Sequence, residues 1–193
     1  MLNLPANAAL VLIDVQQGFL DPGWGERNNP EAEANIARLL SAWRETRRPV
    51  FHVHHESQSP TGSFRPGTPG HLPKPEAQPL AGEPVYRKRV NSSFIGTKLE
   101  EDLRTAGIQT LVIVGLTTNH CVSTTVRMAG NLGFAAFVVS DATATFARPH
   151  LDGRPRSAQE VHDAALSDLN EEFAEIVTTK AVLAATGTGL AAA

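Results

Sequence analysis

Among 193 residues there is one cysteine, Cys121, so a disulfide framework is excluded. There is also no excess of positive charge: 17 Lys and Arg stand against 20 Asp and Glu, a formal net charge of -3. A balance of that kind carries no electrostatic footprint for a polyanion, and nucleic acid is not expected as a partner. No basic N-terminal segment leads into a long apolar stretch, so neither secretion nor membrane insertion is expected, and a reducing cytoplasm is the expected compartment. A Gly-rich phosphate fingerprint is missing after the first apolar run, where Asp14-Val15-Gln16-Gln17-Gly18 follows instead. That counts against a nucleotide-binding or other non-catalytic binding module. The length suits one compact domain, placed at residues 1–186, with 187–193 as an aperiodic tail.

What the chain does have is an alternation of buried apolar runs and amphipathic segments. Ala8 to Ile13 is continuously apolar and ends in Asp14, as expected for a strand covered on both faces. Asn29 is placed to cap a helix with Pro30 at its first position and Ile36, Leu39, Leu40 and Trp43 at helical spacing, ending in Arg44, Arg47 and Arg48. Short strands are expected at Val50–Val53 and Val85–Tyr86. The Pro- and Gly-rich connection between them, about 57–84, is long enough to be functional and is expected to shape an entrance. Thr97 and Glu100 read as a capping box opening a helix that closes at Gly107. A strand over 111–116 follows, then a helix with Val122, Val126, Ala129 and Leu132 on one face, and a strand over 134–139. Ser157 and Glu160 form a second capping box before an apolar stripe of Val161, Ala165, Leu169 and Phe173, a last strand over 175–178 and a helix over 180–185. This pattern predicts an α/β, doubly wound three-layer sandwich with a mostly parallel six-stranded sheet in the order 3-2-1-4-5-6.

In such sheets ligands bind outside the carboxyl ends of the strands. Asp14, Lys88 and the Thr117–Cys121 turn all emerge there, and strands one and four are neighbours, so Asp14 and Cys121 flank the crevice while Lys88 reaches in on its stem. A helix N-terminus favours an ionised thiol and offers N–H groups to an oxyanion. Asp14 then accepts the thiol proton and later donates it to a leaving amine, Lys88 stabilises both anions, and backbone N–H groups of the turn hold the oxyanion. On this scheme Asp14→Asn should slow alkylation of the thiol. The plain alternatives are a core cysteine, a turn-capping aspartate and a surface lysine.

Three segments carry a resemblance: Leu12-Ile13-Asp14-Val15-Gln16-Gln17-Gly18-Phe19, Lys88-Arg89-Val90-Asn91-Ser92-Ser93-Phe94 and Gly115-Leu116-Thr117-Thr118-Asn119-His120-Cys121-Val122. Together they resemble the isochorismatase-like cysteine hydrolase family over about residues 8–180. The resemblance implies a catalytic triad of Asp14, Lys88 and Cys121, a cis peptide at Leu116-Thr117, and the N–H groups of Thr117 and Cys121 as oxyanion donors. It implies a cysteine hydrolase that cleaves the C–N bond of a small amide or ureide through a thioester, in a homodimer or homotetramer. Vinyl-ether hydrolysis of the isochorismatase type is the alternative. Ser93 stands where the family usually has Ala. The metal-binding branch of the family carries an Asp-x-His pair, whereas this chain has His52, His54, His55 and His71, so no metal or other cofactor is expected. Phe19, Trp24, His54, Thr118 and Phe146 are the candidate substrate-binding residues, and Arg65, Arg87 and Arg89 are further possible anchors for a carboxylate.

Overall fold

The computed structural model describes residues 2–187; residues 188–193, most of the expected tail, lie outside the described residues. In chain order the elements are β1 (Ala9–Ile13), α1 (Ala32–Glu45), β2 (Val50–His55), β3 (Val85–Lys88), α2 (Leu99–Thr105), β4 (Thr110–Leu116), α3 (Ser123–Asn131), β5 (Ala135–Ala144), α4 (Ala158–Leu169), β6 (Glu175–Val177) and α5 (Thr179–Thr186). The sheet order is β3-β2-β1-β4-β5-β6 and every pairing is parallel. Among the described residues no helix is long and apolar enough to cross a membrane.

The period-2 alternation of a strand explains the two cores. Leu10 and Leu12 of β1 join Ile36, Leu39, Leu40 and Trp43 of α1 and Val182 and Leu183 of α5 on one face. Val11 and Ile13 join Leu99, Leu103, Val126 and Leu169 on the other. Because both faces of β1 are covered, the strand reads as an unbroken apolar run. The Trp43 indole is fully buried and donates to the carbonyl of Ala8 at 3.0 Å, which satisfies its one polar atom.

Several local expectations are corrected. α1 begins at Ala32, and the Asn29 side chain does not cap it; Asn29 adopts φ 45° and its amide donates to the carbonyls of Ser140 and Thr143 at the end of β5. The Thr97 hydroxyl accepts from the N–H of Leu99 and donates to the carbonyl of Ser93, and Glu100 pairs with Arg104, so α2 opens without a capping box. α4 ends at Leu169 because Asn170 turns extended. Phe173 therefore leaves the α4 stripe and packs beneath the Arg127 guanidinium. The Ser157–Glu160 box is present in both directions.

The connection between β2 and β3 is held rather than loose. Single helical turns form at Pro69–His71 and Pro75–Ala77, and Gln16 bridges Pro73 in antiparallel fashion. Lys74, buried, ties the segment to Glu33 of α1, which also takes a forked pair from Arg27. Burial raises the Glu33 carboxyl, but these two cations outweigh it and hold it at about 2.

Candidate active site

Asp14 is the first residue after β1. It takes φ 51°, a left-handed conformation that Asp tolerates better than most residues, and its N–H donates to the carbonyl of Val53 at 2.8 Å. That turn keeps its carboxylate under the sheet edge, 1% exposed. Lys88 closes β3, two strands away, a separation of about 10 Å at ordinary strand spacing. A fully buried extended stem crosses it. The ammonium donates to Asp14 Oδ2 at 2.6 Å and to Cys121 Sγ at 3.2 Å, and meets His55 Nδ1 at 3.4 Å. An ammonium has three donors and no acceptor, so all three are engaged and His55 Nδ1 must be the acceptor. The neutral His55 ring consequently carries its proton on Nε2. Asp14 Oδ1 is buried with no hydrogen-bond partner among the described residues, on a carboxylate that comes within 4.8 Å of the thiol sulfur.

Cys121 sits in a wide helical turn, Thr118–Val122, that leads into α3. The Leu116–Thr117 peptide is cis, and the Thr117 carbonyl accepts from the N–H groups of His120 and Val122 at 3.1 and 3.2 Å. Gly115 makes this approach possible. It adopts φ 124° where the β4–β5 register shifts, and a Cβ there would lie 2.0 Å from the Ile13 carbonyl oxygen. Only a glycine lets β4 deliver the turn so close to Asp14.

The thiol is not the easily ionised group that a helix N-terminus alone would make it. Burial pushes it up to about 12, the Asp14 carboxylate adds to the rise, and the Lys88 ammonium opposes it. The resting residue is a thiol with an acceptor waiting beside it.

A cavity of about 530 Å³ opens onto these groups, lined by Phe19, Trp24, Phe64, His55, Asn91 and His120 among others. Phe19, Trp24 and Phe64 are in mutual ring contact, with centroids 4.7 to 6.1 Å apart. Phe146 stacks behind Phe19 and Trp24 at 6.0 and 5.5 Å and lines an adjoining cavity. Two candidate contacts are corrected. Thr118 is fully buried and its hydroxyl meets His162 Nδ1 at 2.8 Å, outside the cavity lining. His54 is buried on the other face of β2 beside His52, and its neighbour His55 lines the cavity, as the alternation of a strand requires. His52 is turned to Glu83 at 2.8 Å and His71 to Glu56 at 3.7 Å, so these histidines face separate carboxylates. Arg87 and Arg89 also pair with Glu56, and Arg65 lines a neighbouring recess. Asn91 and His120 were not singled out by sequence, although each lies inside a motif segment, three residues after Lys88 and one before Cys121.

The family description "Isochorismatase domain" matches residues 8–181. An isochorismatase family protein of Bacillus subtilis, YrdC, is 47% identical over 171 residues, covering 89% of this chain and 91% of that protein. The crystal structure of a hydrolase of the isochorismatase family from Chromobacterium violaceum superposes with a TM-score of 0.94 at 46% identity, covering 97% of this chain and 98% of that one. Nicotinamidase 3 of Arabidopsis thaliana is 30% identical over 183 residues, covering 88% of this chain and 84% of that protein. The chain belongs to the isochorismatase family of hydrolases.

Proposed function

We propose that the protein is a cysteine hydrolase that cleaves the C–N bond of a small amide or ureide through a covalent thioester. The observation that carries this reading is the single ammonium of Lys88, joined at 2.6 Å to Asp14 and at 3.2 Å to Cys121 at the foot of the cavity. An amidase among its relatives, Nicotinamidase 3, supports the same class of chemistry.

Asp14 Oδ1 takes the thiol proton as Sγ attacks the carbonyl carbon, so that a carbon–sulfur bond forms and the carbonyl oxygen becomes an oxyanion. The N–H groups of Thr117 and Cys121 receive that oxyanion, a single donor of this type being worth about 3–4 kcal/mol in acyl-transfer enzymes where one has been removed. Collapse breaks the C–N bond and Asp14 returns the proton to the leaving nitrogen. Water then attacks the thioester, Asp14 takes the water proton, and the acid leaves as the proton goes back to sulfur. Lys88 keeps Asp14 and the developing thiolate from repelling one another.

Ammonia release is to be measured from a panel of small amides, carbamoyl compounds and ureides, with a chelator present, for the wild type and Cys121→Ala. Release confined to the wild type supports the reading. Release that persists without the thiol, or none from any compound, overturns it.

A further inference from the structure

The catalytic cavity has a neighbour across His120. His120, Trp24 and Thr117 also line the adjoining cavity of about 290 Å³, and its far side is formed by Phe146, Arg148 and Pro149. The two adjoin across these residues, with the nucleophile lining one and a guanidinium lining the other. Lys88, the cation nearest the nucleophile, is consumed by Asp14 and Cys121, and no carboxylate lines the second cavity.

Arg148 is exposed, and among the described residues no carboxylate lies within ion-pair distance of it; other arginines share that, but Arg148 lines the cavity that adjoins the nucleophile's. Its NH1 donates to His120 Nε2 at 3.3 Å, and the Asn119 amide reaches the same nitrogen at 3.4 Å. Two donors on Nε2 leave the His120 proton on Nδ1, which faces Thr117 Oγ1 at 3.3 Å. Burial and the nearby Arg148 charge both lower His120, which keeps the ring neutral. The arginine is thus tethered to a neutral ring that lines both cavities, and its own N–H is bonded to the carbonyl of Arg156 at 3.0 Å. Arg148 also borders a recess of about 510 Å³ lined by Arg127, Arg156 and Asp168, in which Arg127 pairs with Asp168 at 3.8 Å and Arg156 donates to the carbonyl of Glu160, so the cations around Arg148 outnumber the carboxylates that line the recess.

We propose that the substrate is an anionic amide, with a carboxylate at the end remote from the scissile bond, and that Arg148 binds that carboxylate. A planar fork of donors with no protein acceptor fits a carboxylate in two parallel hydrogen bonds. This rests on the amide-hydrolase reading, and the test separates the two.

Two matched probe pairs are needed, each a carboxylate and its methyl ester: monoamides of short dicarboxylic acids for turnover, and N-iodoacetyl amino acids of one to three methylenes for alkylation of Cys121. Wild type should favour the carboxylate in both pairs, with the preference shrinking as salt rises. Arg148→Ala should cut the carboxylate-to-ester ratio by about tenfold or more, Arg148→Lys should restore part of it, and Arg154→Ala should leave it unchanged. A ratio that is the same in wild type and Arg148→Ala, at every arm length, overturns the carboxylate site even where amides are hydrolysed. An Arg148-dependent alkylation ratio without any amide turnover supports the site and overturns the amide reading alone.

Discussion

The Gln16 side chain holds both backbone groups of His55. Its Oε1 accepts from the His55 N–H at 2.7 Å, and its Nε2 donates to the His55 carbonyl at 3.1 Å and to the His71 carbonyl at 2.9 Å. One buried amide therefore sets where β2 ends and how the His55 ring enters the cavity. Gln16→Leu keeps the volume but leaves three main-chain groups without a partner. It should cost on the order of 2–4 kcal/mol, read as a lower urea midpoint with an unchanged slope. An unchanged midpoint would show that water replaces the amide and that the brace has no structural weight.

Asp14 has opposite effects on the resting thiol and on turnover. Its charge helps hold the thiol near 12 while Lys88 pulls the other way. Asp14→Asn removes the first influence and leaves the second, so iodoacetamide should modify Cys121 faster at pH 7.5 while hydrolysis falls by about 10²–10⁴. The sequence alone suggests slower alkylation, because it offers Asp14 as a base and does not reveal how deeply the thiol is buried. Slower alkylation in Asp14→Asn would mean that the carboxylate drives ionisation in the resting enzyme as well.

Stability should fall with acid well before the carboxylates titrate. Burial lowers His54 to about 4, and lowers His52, His55, His120 and His162 in the same direction. Between pH 6.5 and 4 the unfolded chain takes up protons that folded His54 refuses, so its contribution is whole above 6.5 and lost as pH falls toward 4. For His54 alone this amounts to on the order of 3 kcal/mol. Glu33 and Glu83, both held at about 2, extend the loss from 4.5 downward. Urea midpoints at pH 7.5, 5.5 and 4.5 should decline steadily, and His54→Gln should flatten the decline. A wild-type midpoint constant over that range would contradict the assignment of these histidines as buried and neutral.

The strands, their order and the edge at which chemistry gathers were legible because β1 and β4 are covered on both faces and advertise it as unbroken apolar runs. The Asp14, Lys88 and Cys121 positions could be read from their places at strand ends. Helix starts were less legible: Asn29 has the composition of a cap, but its amide is claimed by two carbonyls 111 and 114 residues away. The cavity wall was least legible. His55 rather than His54 follows from strand phase, but Asn91, His120 and Arg148 enter through loop geometry that no periodicity reports.

The mooring of Phe64 bears on how this scaffold can change. A Cβ on Gly18 would come within 2.7 Å of the Phe64 ring, and one on Gly70 within 2.0 Å of the Ser63 carbonyl oxygen, so the segment after β2 is seated by two bare backbones. Between β2 and that seat lie Ser57 to Gly62, which contribute Ser57, Thr61 and Gly62 to the cavity and none of the reacting groups. This part of the cavity wall thus lies on a stretch of chain separate from the reacting groups. Residues 57–62 form an exchangeable cassette, in which insertion or replacement would redraw the mould while leaving the tool intact.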